Sequence, residues 1–170
     1  MLRKILVLAM LSISFSCAAG LADKSSAVGG WVQGGNPGEK LGLDYKMRLD
    51  PMATLDIYVH FYFSDNDNSL GLYLGYYWNY YDIISLPAEA GRMGLYWGPA
   101  GGVGWWDDGI AIRAGIVGGW EWEFPQGIPL ELYVELNPVG ELQVYTDDRD
   151  DNTHWRLPDF YLRLGIRFWF

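Results

Sequence analysis

The chain has 170 residues, half of them hydrophobic, and a formal net charge of −9; that length makes one domain the expectation. The acidic balance argues against a nucleic-acid partner, and no internal run approaches the ~20 apolar residues of a membrane-spanning helix. Nine Trp, 12 Tyr, 7 Phe and 22 Gly favour strands over helices.

The first element reads as a leader. Arg3 and Lys4 precede a short apolar stretch, Ile5 to Phe15, and small residues follow in "SCAAGLA". This is the layout of a secretory signal peptide over residues 1–22, cleaved after Ala19 or Ala22, and too short for a membrane anchor. Cys17 lacks a Leu-small-small-Cys lipidation box, because Phe15 stands two residues before it. If Cys17 leaves with the leader, the mature chain needs no disulfide framework. Twelve basic residues less Arg3 and Lys4 leave ten against 21 acidic ones, so a mature chain from Asp23 carries −11.

Eight strand-like segments follow, at roughly 26–34, 40–49, 53–63, 70–81, 93–106, 110–124, 130–145 and 159–170. Most reach ten residues, which suits a tilted bilayer crossing of ~9–11 residues. The separators are turn formers: "GGNPGE", "DPM", "SDNDNS", "DIISLPAEAGR", "DDG", "PQGIP" and "TDDRDDNTHWRLPD". No segment keeps a helical period. The first and fifth segments are Gly-rich with weaker alternation, and Pro99 and Pro138 predict bulges or local breaks.

Elsewhere apolar residues alternate with Gly, Tyr and charges. In the second segment Leu41, Leu43, Tyr45, Met47 and Leu49 oppose Asp44, Lys46 and Arg48; in the third Leu55, Ile57, Val59 and Phe61 oppose Asp56, Tyr58 and His60. The fourth sets Leu70, Leu72, Leu74, Tyr76, Trp78 and Tyr80 against Gly71, Tyr73, Gly75, Tyr77, Asn79 and Tyr81. The sixth and seventh set Ile110, Ile112, Ile116, Trp120, Leu130, Leu132, Val134 and Leu136 against Arg113, Glu121, Glu123, Glu131, Tyr133, Glu135 and Glu141. The last sets Leu162, Leu164, Ile166, Phe168 and Phe170 against Arg163 and Arg167.

A period of two alone also fits a soluble sheet. Here one face is apolar along nearly every strand, while the other is a poor soluble core but a good lumen. The pattern therefore predicts an all-β, eight-stranded antiparallel up-and-down transmembrane β-barrel over residues 23–170. Aromatics fall near the strand ends, with Trp78, Tyr80, Trp97, Trp120, Trp122, Phe168 and Phe170 at one rim and Phe61, Phe63, Trp105 and Phe160 at the other. Such positions suit interfacial girdles. The last strand is expected to pair with the first, because an open edge in lipid leaves backbone groups unsatisfied.

The run "YLRLGIRFWF" resembles the C-terminal targeting signal of bacterial outer-membrane proteins, which implies recognition by the barrel-assembly machinery. The segments "GNPGEKLGLDYKM", "LGLYLGYYWNYYDII", "GLYWGPAGGVGWWDDGIAIRAGIVGGWEWEF" and "IPLELYVELNPVGEL" resemble small bacterial outer-membrane β-barrels of the spirochaete type, often described as porin-like. The resemblance covers nearly the whole mature chain. It implies outer-membrane location and supplies no catalytic residues. The long, charged last loop departs from the shorter polar one more usual there.

Function is expected in two places. An eight-stranded barrel is just wide enough for its interior side chains to fill it, and the inward set holds both signs: Asp44, Lys46, Arg48, Asp56, Arg113, Glu121, Glu123, Glu131, Glu135, Glu141, Arg163 and Arg167. Antiparallel pairing of the last two strands should bring Glu141 near Arg163 and Glu131 or Glu135 near Arg167, with guanidinium forks bridging carboxylates. This network would neutralise and plug the lumen; the sharper alternative is a narrow charge-lined conduit. The second place is the outside loops, with Asp65, Asp67, Asp107, Asp108, Asp147, Asp148, Asp150 and Asp151. "DNDNS" begins like a calcium loop but lacks the EF-hand Gly and distant Glu. An acidic solvated face is the plain reading, with divalent cations bridging to outer-membrane lipid as an alternative. Asp147, Asp148, Asp150, Asp151, His154, Trp155 and Arg156 form the candidate contact surface for an extracellular protein.

Catalytic signatures are missing: there is no G-x-S-x-G or H-E-x-x-H, and "GGVG" opens no helix. His60 near Asp56 could mimic a base and its orienter, but reads better as a lumen histidine. The expectation is a non-enzymatic barrel without cofactor, structural or surface-interactive. Its rivals are a small pore, a lipid A-modifying enzyme, and a soluble lipocalin-like barrel with the two faces exchanged.

Overall fold

The computed structural model describes residues 25–34, 40–63, 68–81, 83–106, 108–125, 127–145 and 153–170, without the side chains of 63, 68 and 156–159. The leader with Cys17 lies outside them, as do Asp65, Asp67, Asp107, Asp147, Asp148, Asp150 and Asp151.

Eight strands close into one antiparallel barrel in simple chain order. They are β1 (Ser26–Gly34), β2 (Lys40–Asp50), β3 (Ala53–Phe63), β4 (Asn68–Tyr81), β5 (Arg92–Trp106), β6 (Gly109–Glu123), β7 (Leu130–Tyr145) and β8 (Thr153–Trp169). A single turn of 3-10 helix, Ala88–Ala90, sits between β4 and β5. Among the described residues no helix is long and apolar enough to cross a membrane.

The seam is the β1–β8 ladder, running from Ala27 opposite Trp169 to Gly34 opposite Leu162. Beyond it the Phe170 amide donates to the Ser26 carbonyl at 2.8 Å. Along this ladder the first and last strands close on each other instead of leaving two open edges. The connections β1–β2, β3–β4, β5–β6 and β7–β8 share one rim, here the loop rim. Both described chain ends and the other three turns share the opposite one, the terminal rim.

The faces follow the alternation. On β8, Leu162, Leu164 and Ile166 are 45%, 47% and 48% exposed, whereas Arg163 and Arg167 are 7% and 1% exposed. This is incompatible with the lipocalin-like arrangement, in which those faces would be exchanged. Leu72, Leu74, Ile112 and Ile116 likewise stand outside. Inside, an aromatic layer of Trp31, Tyr58, Tyr77, Tyr96 and Tyr133 is buried with Val117. Several of these rings lie over a glycine on the neighbouring strand: Trp31 over Gly42, Tyr96 over Gly119 and Tyr133 over Gly165. A methyl group there would overlap the ring, so the interior abundance of Gly is the counterpart of its abundance of Tyr and Trp.

Three differences from the sequence reading stand out. First, β8 begins at Thr153 rather than near 159, because Thr153–Arg156 pair with Val144–Glu141 of β7 instead of looping. Second, the two prolines behave alike. At Pro99 the β4–β5 ladder skips from Gly75–Ala100 to Trp78–Trp97 with its register kept, and at Pro138 the β6–β7 ladder skips from Gly115–Val139 to Gly118–Leu136 with its register kept; proline removes one donor without forcing a bulge. The β7–β8 register does slip, between Val139 and Glu141, where residues 157 and 158 of β8 stand against Gly140 alone. Third, β1 alternates cleanly, with Ala27, Gly29, Trp31 and Gln33 buried and Val32 exposed.

Candidate functional site

The interior divides into a charged half towards the terminal rim and a polar cavity towards the loop rim. Arg167 on β8 is the hub of the first. Its Nη1 donates to Glu131 Oε1 of β7 at 2.6 Å, its Nη2 to Asp56 Oδ2 of β3 at 2.8 Å, and its Nε to Asp44 of β2. The guanidinium carbon also lies 3.8 Å from the centre of the Tyr133 ring. Lys46 on β2 donates to Glu121 of β6 and, at 3.3 Å, to Glu131. Trp169 Nε1 donates to Glu131 at 2.9 Å and the Tyr133 hydroxyl to Asp44 at 3.1 Å.

Backbone register explains part of this. Glu131 lies opposite Arg167 and Glu135 opposite Arg163 across the β7–β8 ladder, so these pairs are cross-strand neighbours. The Asp44–Arg167 pair is different, since β1 runs between its two strands. Gly29 is the β1 residue opposite both Asp44 and Arg167. A Cβ on it would overlap the Asp44 carboxylate and the Arg167 stem. The bridge passes over the backbone only because that position is glycine.

Other bonds cross the lumen. β2 and β6 stand on opposite sides of the eight-stranded wall, yet Lys46 meets Glu121 and Arg48 meets Glu123 at 2.7 Å. Arg92 at the terminal rim adds a second 2.7 Å contact to Glu123. The Tyr58 hydroxyl lies 2.8 Å from Asp56, 3.1 Å from Glu135 and 3.0 Å from the Tyr77 hydroxyl. With one proton it serves one carboxylate at a time. Five fully buried acids, Asp44, Asp56, Glu121, Glu131 and Glu135, thus surround three buried cations, Lys46, Arg163 and Arg167. Charges so desolvated persist only when paired and hydrogen-bonded.

Towards the loop rim the chemistry changes. The Arg163 guanidinium carbon lies over the rings of Trp31 and Tyr58, 4.4 and 4.3 Å from their centres. It donates to Glu135 at 3.1 Å and to Gln33 at 3.4 Å. Arg113 donates to Glu141 and, at 2.6 Å, to the Tyr73 hydroxyl. Between these groups lies a cavity of about 40 Å³. His60 lines it, stacked on Tyr73 at 5.3 Å. The described bonds of Asp56 run to Tyr58 and Arg167, so the suggested base–orienter pair of His60 and Asp56 is not what the interior is built around.

Of the charges expected in the lumen, Asp44, Lys46, Asp56, Glu121, Glu131, Glu135, Glu141, Arg163 and Arg167 are buried, and Arg48, Arg113 and Glu123 are half-buried. Glu141 is level with Arg156 rather than Arg163, because β8 starts early and slides along β7. Its cation is Arg113, directly opposite on β6. Of the candidate contact loop, His154 and Trp155 belong to β8; Trp155 is 78% exposed and His154 packs edge-on against Tyr145. Arg156 is also on β8, and the four aspartates lie outside the described residues. Among the described residues no cluster of His, Cys, Asp and Glu could hold a metal ion. Arg92 and Gln33 were missed as interior functional groups, whereas Asn137 falls on the inner face by the alternation of the seventh segment. Tyr58 and Tyr133 were placed on the inner face, but nothing in a period of two gave them a role.

No protein-family model matches the chain, and no curated protein matches it. Among solved structures it is similar to the N-terminal β-barrel domain of Pseudomonas aeruginosa OprF, at 13% identity and a TM-score of 0.52, covering 87% of this chain and 98% of that one. Neisserial surface protein A (NspA) aligns at 12% identity with a TM-score of 0.43, over 85% of this chain and 94% of that one. The first likeness supports the same fold, a closed eight-stranded antiparallel barrel.

Proposed function

We propose that the protein is an integral outer-membrane barrel, exported by its leader and inserted by the barrel-assembly machinery, whose lumen is plugged by charged pairs. Its role is structural or surface-interactive, not catalytic. The observation that carries this reading is the inversion of a soluble protein's faces: aliphatic side chains stand exposed around the wall while Lys46, Arg163, Arg167 and five acids are buried. In water that exterior would be a large aggregation-prone patch; in hydrocarbon it is the favourable surface. The exposed outer aromatics Trp78, Tyr80 and Trp97 lie towards the terminal rim, and Trp105 and Phe160 towards the loop rim, as interfacial girdles would require. The likeness to the OprF barrel domain and the small spirochaete-type barrels favours the same setting.

The plug rests on pairs that span the wall-to-wall distance, Lys46–Glu121 and Arg48–Glu123. A chain of desolvated, mutually bonded charges leaves ions no continuous hydrated path. Contact with the outside falls to the loop rim, where Trp155 is exposed on β8 and follows an acidic stretch of sequence. An extracellular protein or divalent cations are the proposed partners there. The test is refolding of the mature protein into planar bilayers. The plugged reading expects heat-modifiable migration on gels, showing a folded barrel, together with no discrete conductance. Stepwise single-channel currents from wild-type protein would replace it with the small-pore reading.

A further inference from the structure

The cavity towards the loop rim has an asymmetric lining. Two arginines, Arg113 and Arg163, face it, and no carboxylate does. The acids nearest in the network are absent from the lining and already engaged: Glu135 by Arg163 and Tyr58, Glu141 by Arg113 and Gln143. Two further observations point to a ligand. Arg163 Nε and Asn137 Nδ2 are buried donors without a hydrogen-bond partner, and both residues line this cavity. Arg163 is 7% and Asn137 4% exposed. A buried donor left unmade costs about 1–3 kcal/mol, more when charged, and a cavity is where a partner for both can sit.

The occupant's chemistry follows from the donors. Two cationic side chains, two primary amides and phenol hydroxyls line the cavity and no carboxylate does, so the partner this donor set fits best is an acceptor carrying negative charge. Size narrows it further. About 40 Å³ admits a monatomic or small planar monovalent anion, or a few waters, and has no room for a sugar or a lipid headgroup. Contact with the Trp31 and Tyr58 rings and the bonds from Nη1 to Glu135 and Nη2 to Gln33 hold the guanidinium, which keeps the Nε–H in place rather than letting it turn to another acceptor. We infer that this cavity is a binding site for a small monovalent anion of the halide class, held by Arg163 Nε and Asn137 Nδ2 above the charged plug. The inference needs only the interior geometry and stands apart from the membrane reading.

Bromide is the probe. Crystals of the mature barrel grown from detergent and soaked in sodium bromide should show an anomalous peak within hydrogen-bond distance of both donors. Bromide titration in solution, followed by bromine-81 line broadening, should saturate. Asn137→Asp keeps the shape and places a carboxylate among the donors; it should weaken bromide at least about tenfold, the scale of one lost charge-assisted bond. Asn137→Leu serves the same purpose if the aspartate variant fails to refold. Water in the cavity with bromide absent, or equal affinity in wild type and both variants, would overturn the inference.

Discussion

The two halves of the lumen use the same residue types to opposite ends. Towards the terminal rim, acids outnumber cations and each fully buried cation reaches one or more carboxylates, often across the barrel. Towards the loop rim, donors outnumber acceptors and a cavity remains. Eight strands barely leave room for side chains, so whether the interior closes depends on whether long charged chains from opposite walls meet. Lys46 and Glu121 meet across the lumen, whereas Arg113 and Arg163 each turn sideways to a glutamate on the neighbouring strand β7.

This contrast can be broken by substitution, with stability read from urea titrations of the protein refolded in lipid vesicles. Arg167→Met should be the most damaging. It strips Asp44, Asp56 and Glu131 of their shared partner, and removing one side of a buried pair costs about 3–5 kcal/mol. A loss under about 1 kcal/mol would show that the charged half is hydrated. Gly29→Val comes next, at about 1–3 kcal/mol for overpacking. It pushes Asp44 from Arg167 without altering any charge, and Gly30→Val, with no close neighbour inside the wall, is its control. Arg113→Met in the loop-rim half should cost less, about 1–2 kcal/mol, since Glu141 loses one donor and keeps Gln143 as another. Arg92→Ala should change stability by no more than about 1 kcal/mol, because that side chain is 39% exposed and exposed pairs are weak.

Much of the wall was legible beforehand. Alternation in Tyr161–Phe170 and Leu41–Leu49 assigns faces directly, since a one-residue slip would turn Arg163 and Arg167 outwards. The inner charges of β2, β3, β7 and β8 followed from the same period. Partners across the lumen did not. Glu121 meets Lys46 only through closure and strand stagger, quantities that no local pattern encodes. The Glu141–Arg113 pair was missed for a nearer reason: "THWRLPD" looks like a loop by composition, yet its first residues extend β8 and shift what lies opposite Glu141. Gly29 was invisible as a functional position because its importance lies in what passes over it.

The central claim is that hydrocarbon meets the aliphatic face while the ionised face is enclosed. Nitroxide labels placed singly at positions 72, 74, 112, 116, 162, 164 and 166 of the vesicle-reconstituted protein test it most directly. The account predicts relaxation by lipid-dissolved oxygen at all seven and protection from a water-soluble nickel chelate. Labels relaxed by the nickel chelate and shielded from oxygen would place those side chains in water and contradict it.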